Sequence, residues 1–165
     1  MKCLVFSDSH GYVGAMEEAL NVHTDAEVIF FLGDGLSDLE YIKSEYPERT
    51  YYAVRGNCDF SDRVTPATAE ALICGKRIML THGHEYGVKH GFDTLMRAGE
   101  QRLADIVLFG HTHDPYECYI DNGERAGGRL YLFNPGSISY TYGSENYGII
   151  TLERGKEPLF SHKKQ

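Results

Sequence analysis

Short apolar runs that close on polar residues organise the first two thirds of the chain. They are KCLVFSD (2–8), EVIFFLGD (27–34), TYYAVRGN (50–57), KRIMLTHGH (76–84) and DIVLFGHTH (105–113). A continuous run of this length, rich in Val, Ile, Phe, Tyr and Leu and bounded by turn residues, predicts a strand buried on both faces. The runs begin roughly every 25 residues, the length of a βα unit. The intervening segments carry helical spacing. Residues 13–23 place Val13, Met16 and Leu20 on one face, and residues 90–104 do the same with Phe92, Leu95, Met96 and Leu103. In 37–46, Ser37 precedes Glu40 by three residues, which predicts a capping box. Alternation near the end of 63–74, followed by Gly75, predicts a strand that returns by a tight hairpin into 76–81. Two more hairpins follow. Residues 116–120 and 129–134 flank DNGERAGG, and 146–153 and 157–164 flank Arg154-Gly155-Lys156. With no linker or low-complexity tract between them, these elements predict one α/β domain over residues 1–165.

The polar residues that close the runs are not a random sample. Just after the apolar stretches stand Asp8, His10, Asp34, Asn57, His82, His84, His111 and His113. Ligands of open α/β sheets gather at the carboxyl ends of strands. Taken alone, Asp8 reads as a helix cap, Asp34 as a turn residue and any one histidine as core or surface. His23, His90 and His162 lie outside the pattern and keep that ordinary reading. Imidazole and carboxylate together suit borderline divalent metals. Seven such oxygen and nitrogen donors exceed the needs of one tetrahedral zinc and fit two metals sharing a carboxylate. The i, i+2 spacing of Asp8 with His10 and of His111 with His113 predicts that each pair points to one side of its strand end. Gly33, Gly56, Gly83 and Gly110 adjoin these residues and give them room.

Composition narrows the classes further. The 165 residues are 42% hydrophobic and 24% charged, ordinary for a globular domain. No apolar run approaches the ~18 residues of a membrane span, and Asp8 and His10 follow the first run too soon for a signal peptide. A cytoplasmic protein without a membrane partner is expected. The net charge of −8 opposes a stable nucleic-acid partner. It does not oppose a small phosphate ester, because bound cations reverse the local sign. Cys3, Cys58, Cys74 and Cys118 form no CxxC pair, as expected of free thiols.

The ordered set Asp8-x-His10, Gly33-Asp34, Gly56-Asn57-Cys58-Asp59, His82 and Gly110-His111-Thr112-His113 resembles the calcineurin-like metallophosphoesterase superfamily. THGH at 81–84 and NPGS at 134–137 extend the likeness to its small YfcE-type phosphodiesterases of bacteria and archaea. The resemblance implies a four-layer α/β sandwich, two packed mixed β-sheets flanked by helices. It implies two divalent metal ions, manganese first, with zinc, iron, nickel or cobalt as other candidates. Asp8, His10 and His113 would hold one; Asn57, His82 and His111 the other; Asp34 would bridge. The implied reaction is hydrolysis of a small phosphate ester, a diester foremost, by a metal-bridging hydroxide. The alternative is a catalytically weak metal-binding scaffold of the same fold.

One position departs from the family. Cys58 stands where many members carry histidine, and a thiol is a weaker hydrogen-bond donor. Either Cys58 is a weak catalytic donor or it packs beside the metals, with His84 as the other catalytic candidate. Asp59 is expected to hold its loop, Asn134–Ser137 to shape a turn near the site, and Arg55 to be solvated unless it meets a phosphate. Tyr140, Tyr142 and Tyr147 suit either a core or a homodimer interface.

Overall fold

The computed structural model describes residues 1–121, 128–142 and 145–164. Along the chain run β1 (Lys2–Phe6), α1 (Val13–Val22), β2 (Ala26–Phe31), α2 (Leu36–Glu45), β3 (Thr50–Ala53), β4 (Thr68–Ile73) and β5 (Lys76–Thr81). After these come α3 (Asp93–Gln101), β6 (Ile106–Leu108), β7 (Pro115–Asp121), β8 (Arg129–Pro135), β9 (Asn146–Thr151) and β10 (Leu159–Lys164). The strands form two five-stranded sheets, ordered β10-β9-β1-β2-β3 and β4-β5-β6-β8-β7. In each sheet three neighbouring strands run parallel, β1-β2-β3 in one and β5-β6-β8 in the other. Hairpin strands complete the edges antiparallel.

The strands read as unbroken apolar runs because both of their faces are covered. Side chains alternate across a strand. Cys3, Val5, Val28 and Phe30 meet Ile78, Leu80, Ile106, Leu108 and Phe133 in a core between the sheets. Leu4, Phe6, Ile29 and Phe31 face outward and pack with Met16, Leu20, Leu39 and Ile42 of α1 and α2. Met79, Val107 and Leu132 pack outward with Leu95 and Ala98 of α3. The result is helix, sheet, sheet, helix, the four-layer arrangement expected from the family likeness.

Several local readings change. The predicted capping box is absent: the N-cap of α2 is Gly35, Ser37 lies inside the helix, and no side chain of the cap residue bonds there. Leu103 does not extend the apolar face of α3; it follows the helix at φ +55° and is exposed. The 68–81 hairpin forms as predicted, turning at Cys74 and Gly75 with φ +51° and +81°. β7 and β8 pair antiparallel from Pro115–Pro135 to Asp121–Arg129, while residues 122–127 of the predicted DNGERAGG turn lie outside the described residues. Tyr147 is buried against Phe6, Tyr140 is exposed, and the Tyr142 side chain lies outside the described residues.

Phe133 ties the layers together. Its ring is fully buried between the sheets and stacks on Phe160 and His162 of β10 at 5.0 and 4.6 Å. Gly148 of β9 supplies the space, since a Cβ there would collide with that ring. Phe133→Ala is expected to cost about 3–5 kcal/mol in urea unfolding. Leu159→Ala, at an exposed site on the edge strand β10, is expected to change stability by no more than ~0.5 kcal/mol.

Candidate metal centre

Parallel strands place their carboxyl ends at one edge, and the loops that follow them are zipped together by main-chain bonds. Asp8 N–H donates to Gly33 O at 2.9 Å, His10 N–H to Asp34 O at 3.1 Å and Gly110 N–H to His82 O at 3.0 Å. His111 N–H on Asp8 Oδ2 and Asn57 Oδ1 beside His82 Nε2, both at 3.1 Å, join these pairs to each other and to the end of β3, so all five run ends meet. The i, i+2 pairing has a different cause from the one expected. β1 stops at Phe6 and β6 at Leu108, so Asp8, His10, His111 and His113 stand in loops rather than on a pleat. Asp8, His10, Asp34, His111 and His113 all adopt left-handed backbone, with φ of 56°, 47°, 60°, 68° and 65°. Among the described non-glycine residues only Cys74 and Leu103 share a positive φ. Such a conformation costs an L-residue roughly 1–2 kcal/mol, so its concentration at one sheet edge marks a functional site.

The donor atoms converge closely. Asp8 Oδ1 is buried, accepts no hydrogen bond and lies 3.2 Å from His113 Nε2 and 3.9 Å from both His10 Nε2 and His82 Nε2. Asp8, His10 and His113 each offer a ligand atom within 4.8 Å of the others, as do Asp34, His82 and His111. Asp34 also groups in this way with His10 and Cys58, so its carboxylate borders both clusters. His82 Nδ1 donates to Leu32 O at 2.7 Å, which turns Nε2 towards the cluster. That Nε2 faces Asn57 Oδ1 at 3.1 Å, His111 Nδ1 at 3.2 Å and Asp34 Oδ2 at 3.4 Å. A single proton satisfies one of these contacts. A divalent cation satisfies all of them, because ligands bound at 2.0–2.1 Å in a tetrahedron stand roughly 3.3 Å apart. The residues therefore fit a metal pair.

Electrostatics agree. Burial alone would raise the Asp34 carboxyl; the hydrogen bond and charge of His82 and the Cys58 amide outweigh it and hold Asp34 well below the usual range. Burial is likewise overcome at Asp8 by His113, His82 and Ser7. Burial, then the charge of His82, depresses His111 to about 4. Both carboxylates are thus ionised and His111 neutral at pH 7, the forms that bind metal. His84 opens a short 3-10 turn, His84–Tyr86, with its ring 5.3 Å from His82 and 6.1 Å from His111. Burial and His82 lower its pKa. The exposed Cys58 thiol lies 3.3 Å from Asn57 Nδ2, and desolvation followed by a hydrogen bond to Asp34 and the Asp34 charge pushes its pKa to about 11. His23 and His162 lie away from the cluster, bonded to Tyr147 Oη and Asn134 O, and His90 is exposed.

The supports around the cluster were only partly visible in the sequence. The Asp59 carboxylate accepts four main-chain N–H groups, from Asp34 and Gly56 at 2.8 Å and from Gly35 and Leu36 at 3.0 Å. It holds its loop as expected and also caps α2, the task the sequence pattern assigned to Ser37. Asp38 accepts Ser9 Oγ at 2.6 Å and Gly11 N–H at 2.8 Å, which ties the loop after β1 to α2. No sequence signal marks that pairing. Ser7 Oγ and the His111 N–H bond Asp8 Oδ2 at 2.5 and 3.1 Å. From the NPGS segment, Asn134 Nδ2 bonds Gly110 O at 3.1 Å and Ser137 Oγ bonds Asp8 O at 2.8 Å. Gly56 and Gly110 are needed for space: a Cβ at either would strike the Asp34 carboxylate or the Ser7 hydroxyl.

Comparison with known proteins points the same way. A family model described as the calcineurin-like phosphoesterase superfamily domain matches residues 1–156. The chain is 36% identical to "Probable metallophosphoesterase YsnB" of Bacillus subtilis, over 93% of this chain and 85% of that protein. It is 31% identical to phosphodiesterase YfcE of Escherichia coli K12, over 91% of this chain and 87% of that protein. The crystal structure of a predicted phosphoesterase from Streptococcus pneumoniae aligns with a TM-score of 0.73 at 25% identity, covering 99% and 97% of the two chains.

The four amide bonds to Asp59 carry a prediction. Asp59→Ala is expected to lower unfolding stability by about 2–4 kcal/mol, since each bond to a charged acceptor is worth roughly 1.5–3 kcal/mol and their sum is not additive. It is also expected to weaken Mn²⁺ binding by about 10- to 100-fold, the usual effect of removing a residue that orients ligands. Urea unfolding and metal titration by calorimetry check the two effects separately.

Proposed function

This chain belongs to the calcineurin-like phosphoesterase superfamily, and we propose that it is a dinuclear metal-dependent phosphodiesterase. The observation that supports this best is the position of Asp34, which borders His82 and His111 on one side and His10 and Cys58 on the other. In this reading Asp8, His10 and His113 hold one cation, Asn57, His82 and His111 hold the second, and Asp34 is shared. Manganese is the first candidate; nitrogen and oxygen donors alone do not separate it from zinc, iron, nickel or cobalt. Two cations so held supply a nucleophile from water at neutral pH and neutralise charge on the phosphoryl oxygens.

The rest of the chemistry falls to the chain. The Leu32 carbonyl fixes the His82 tautomer, the Cys58 N–H holds Asp34 Oδ1 at 2.7 Å, and Ser7 with the His111 N–H holds Asp8. These bonds keep the ligands oriented before substrate arrives. The Cys58 thiol stands exposed beside the Asp34 carboxylate, and in this reading it would donate to a phosphoryl oxygen. A thiol is a weak donor, so protonation of the leaving group is weak unless His84 assists. Esters whose alcohol leaves without much help, activated or cyclic diesters, are therefore the favoured substrates. The net charge of −8 suits a small ester bound through cations rather than a polynucleotide, and no described helix is long and apolar enough to cross a membrane. A catalytically weak scaffold would not need ligand-competent side chains at all seven positions, and this chain has them.

In an assay with added Mn²⁺, kcat/KM for bis-p-nitrophenyl phosphate is expected to exceed that for p-nitrophenyl phosphate, with activity lost to EDTA and regained with Mn²⁺. Faster monoester turnover would overturn the diesterase reading, chelator-insensitive turnover the metal mechanism, and absence of turnover would favour the scaffold. Cys58→Ala is expected to lower the rate by less than roughly 100-fold, the small end of general-acid help. Asp34→Ala is expected to lose far more, and equal losses in the two variants would give the thiol a larger role than proposed here.

A further inference from the structure

We infer that the loop after β3 builds a cleft that binds the aromatic group on one arm of a phosphodiester, with Phe60 as stacking platform and Arg55 and Arg63 as its cationic wall. The inference rests on the phosphodiesterase reading above and names the substrate class that reading leaves open.

A cleft of about 360 Å³ opens beside the candidate metal centre and shares Asn57 and His84 with it; Arg55, Phe60 and Arg63 also line it. Phe60 is the exception among eight phenylalanines. The other seven are buried or partly buried, whereas Phe60 is 83% exposed. Single exposed apolar residues are common on protein surfaces, but this one is held out by a braced loop. Asp59, immediately before it, is anchored by four amides. Asp62, two residues on, accepts Val64 N–H at 3.0 Å, Thr65 N–H at 2.7 Å and Thr65 Oγ1 at 3.0 Å. Arg55 N–H closes the loop on Pro66 O at 3.0 Å.

The same bonds decide the charge of the cleft. Asp59 and Asp62 line it, yet their oxygens are engaged by hydrogen bonds, Asp59 with residues 34–36 and Gly56 and Asp62 with Val64 and Thr65, and Glu85 is exposed. Neither the Arg55 nor the Arg63 guanidinium forms an ion pair among the described residues. Two unpaired guanidinium groups and an exposed ring, beside a phosphate site in a chain of net charge −8, match a planar group joined to phosphate. Aromatic faces and arginine planes are the platforms on which nucleobases and aryl rings stack.

The chain contains no tryptophan, so F60W carries a single fluorescent reporter at the platform. In the Mn²⁺-loaded protein, AMP and phenyl phosphate are expected to quench it with midpoints at least about 5-fold below those of ribose 5-phosphate and inorganic phosphate, the lower end of what one stacked base contributes. A tighter midpoint for AMP identifies a nucleobase; a tighter one for phenyl phosphate identifies a simpler aryl group. R63A in the F60W background is expected to raise the AMP midpoint. Equal midpoints for all four compounds, or no quenching, overturns the proposal. The second arm compares thymidine 5′-p-nitrophenyl phosphate with methyl p-nitrophenyl phosphate, which share a leaving group. The ratio of their kcat/KM values is expected to fall at least about 5-fold in F60A, and an unchanged ratio overturns the proposal. If the wild type hydrolyses neither ester, the phosphodiesterase reading fails, and the fluorescence titration still decides the cleft.

Discussion

The Asp59 carboxylate is the tie on which the site depends. One anionic group receives N–H bonds from the loop after β2, from the first turn of α2 and from its own loop after β3. Charge-assisted bonds of this kind are about twice as strong as neutral ones. The negative charge also sits at a helix N-terminus, where the peptide dipoles favour it. Through this group the backbones of Asp34 and Asn57 are set against each other, close enough that Gly56 has no room for a Cβ. One interaction thereby fixes Asp34 and Asn57, the carboxylate and the neutral amide that approach the cluster from two different strand ends.

Two packed sheets make such a tie rigid. The central parallel strands are buried on both faces, so their ends have little freedom to shift. The loops beyond the ends then take left-handed turns at Asp8, His10, Asp34, His111 and His113, conformations that exposed, unsupported loops would abandon. What this strain secures is crowding of electron-rich atoms. Asp8 Oδ1 without a hydrogen bond and His82 Nε2 facing three other donor atoms are arrangements that protons cannot satisfy together. A bound divalent cation would relieve that mismatch, and folding would then be coupled to metal binding.

One loop serves both halves of the proposed function. Asn57 Oδ1 meets His82 in the candidate metal cluster, and a few residues later Phe60 and Arg63 line the adjoining cleft. Because Asp59 and Asp62 brace it with hydrogen bonds, the loop presents a preformed surface rather than one that must order on binding. Preformed surfaces lose less conformational entropy when a ligand arrives.

Much of this was legible in the order of residues. A buried strand must be apolar, so each strand of the two cores announced itself as a run. Imidazole, carboxylate and amide oxygen suit a borderline divalent metal, so the candidate cluster appeared as Asp8, His10, Asp34, Asn57, His82, His111 and His113 at the run ends. Other features were decided only in three dimensions, because they depend on which distant backbones come together. The pairing of Asp8 with His10 was expected from a pleat and comes instead from left-handed turns, since neighbouring loops fix the φ angles there. Helix α2 was expected to be capped by Ser37 and is capped across 24 residues of sequence by Asp59. Leu103 was placed on a helix face by its spacing, but the helix had already ended. The link from Ser9 to Asp38 left no trace in the sequence. Residue chemistry and periodicity are local and can be read in one dimension. Caps, turns and the distances between ligands come from long-range packing, which no local pattern encodes.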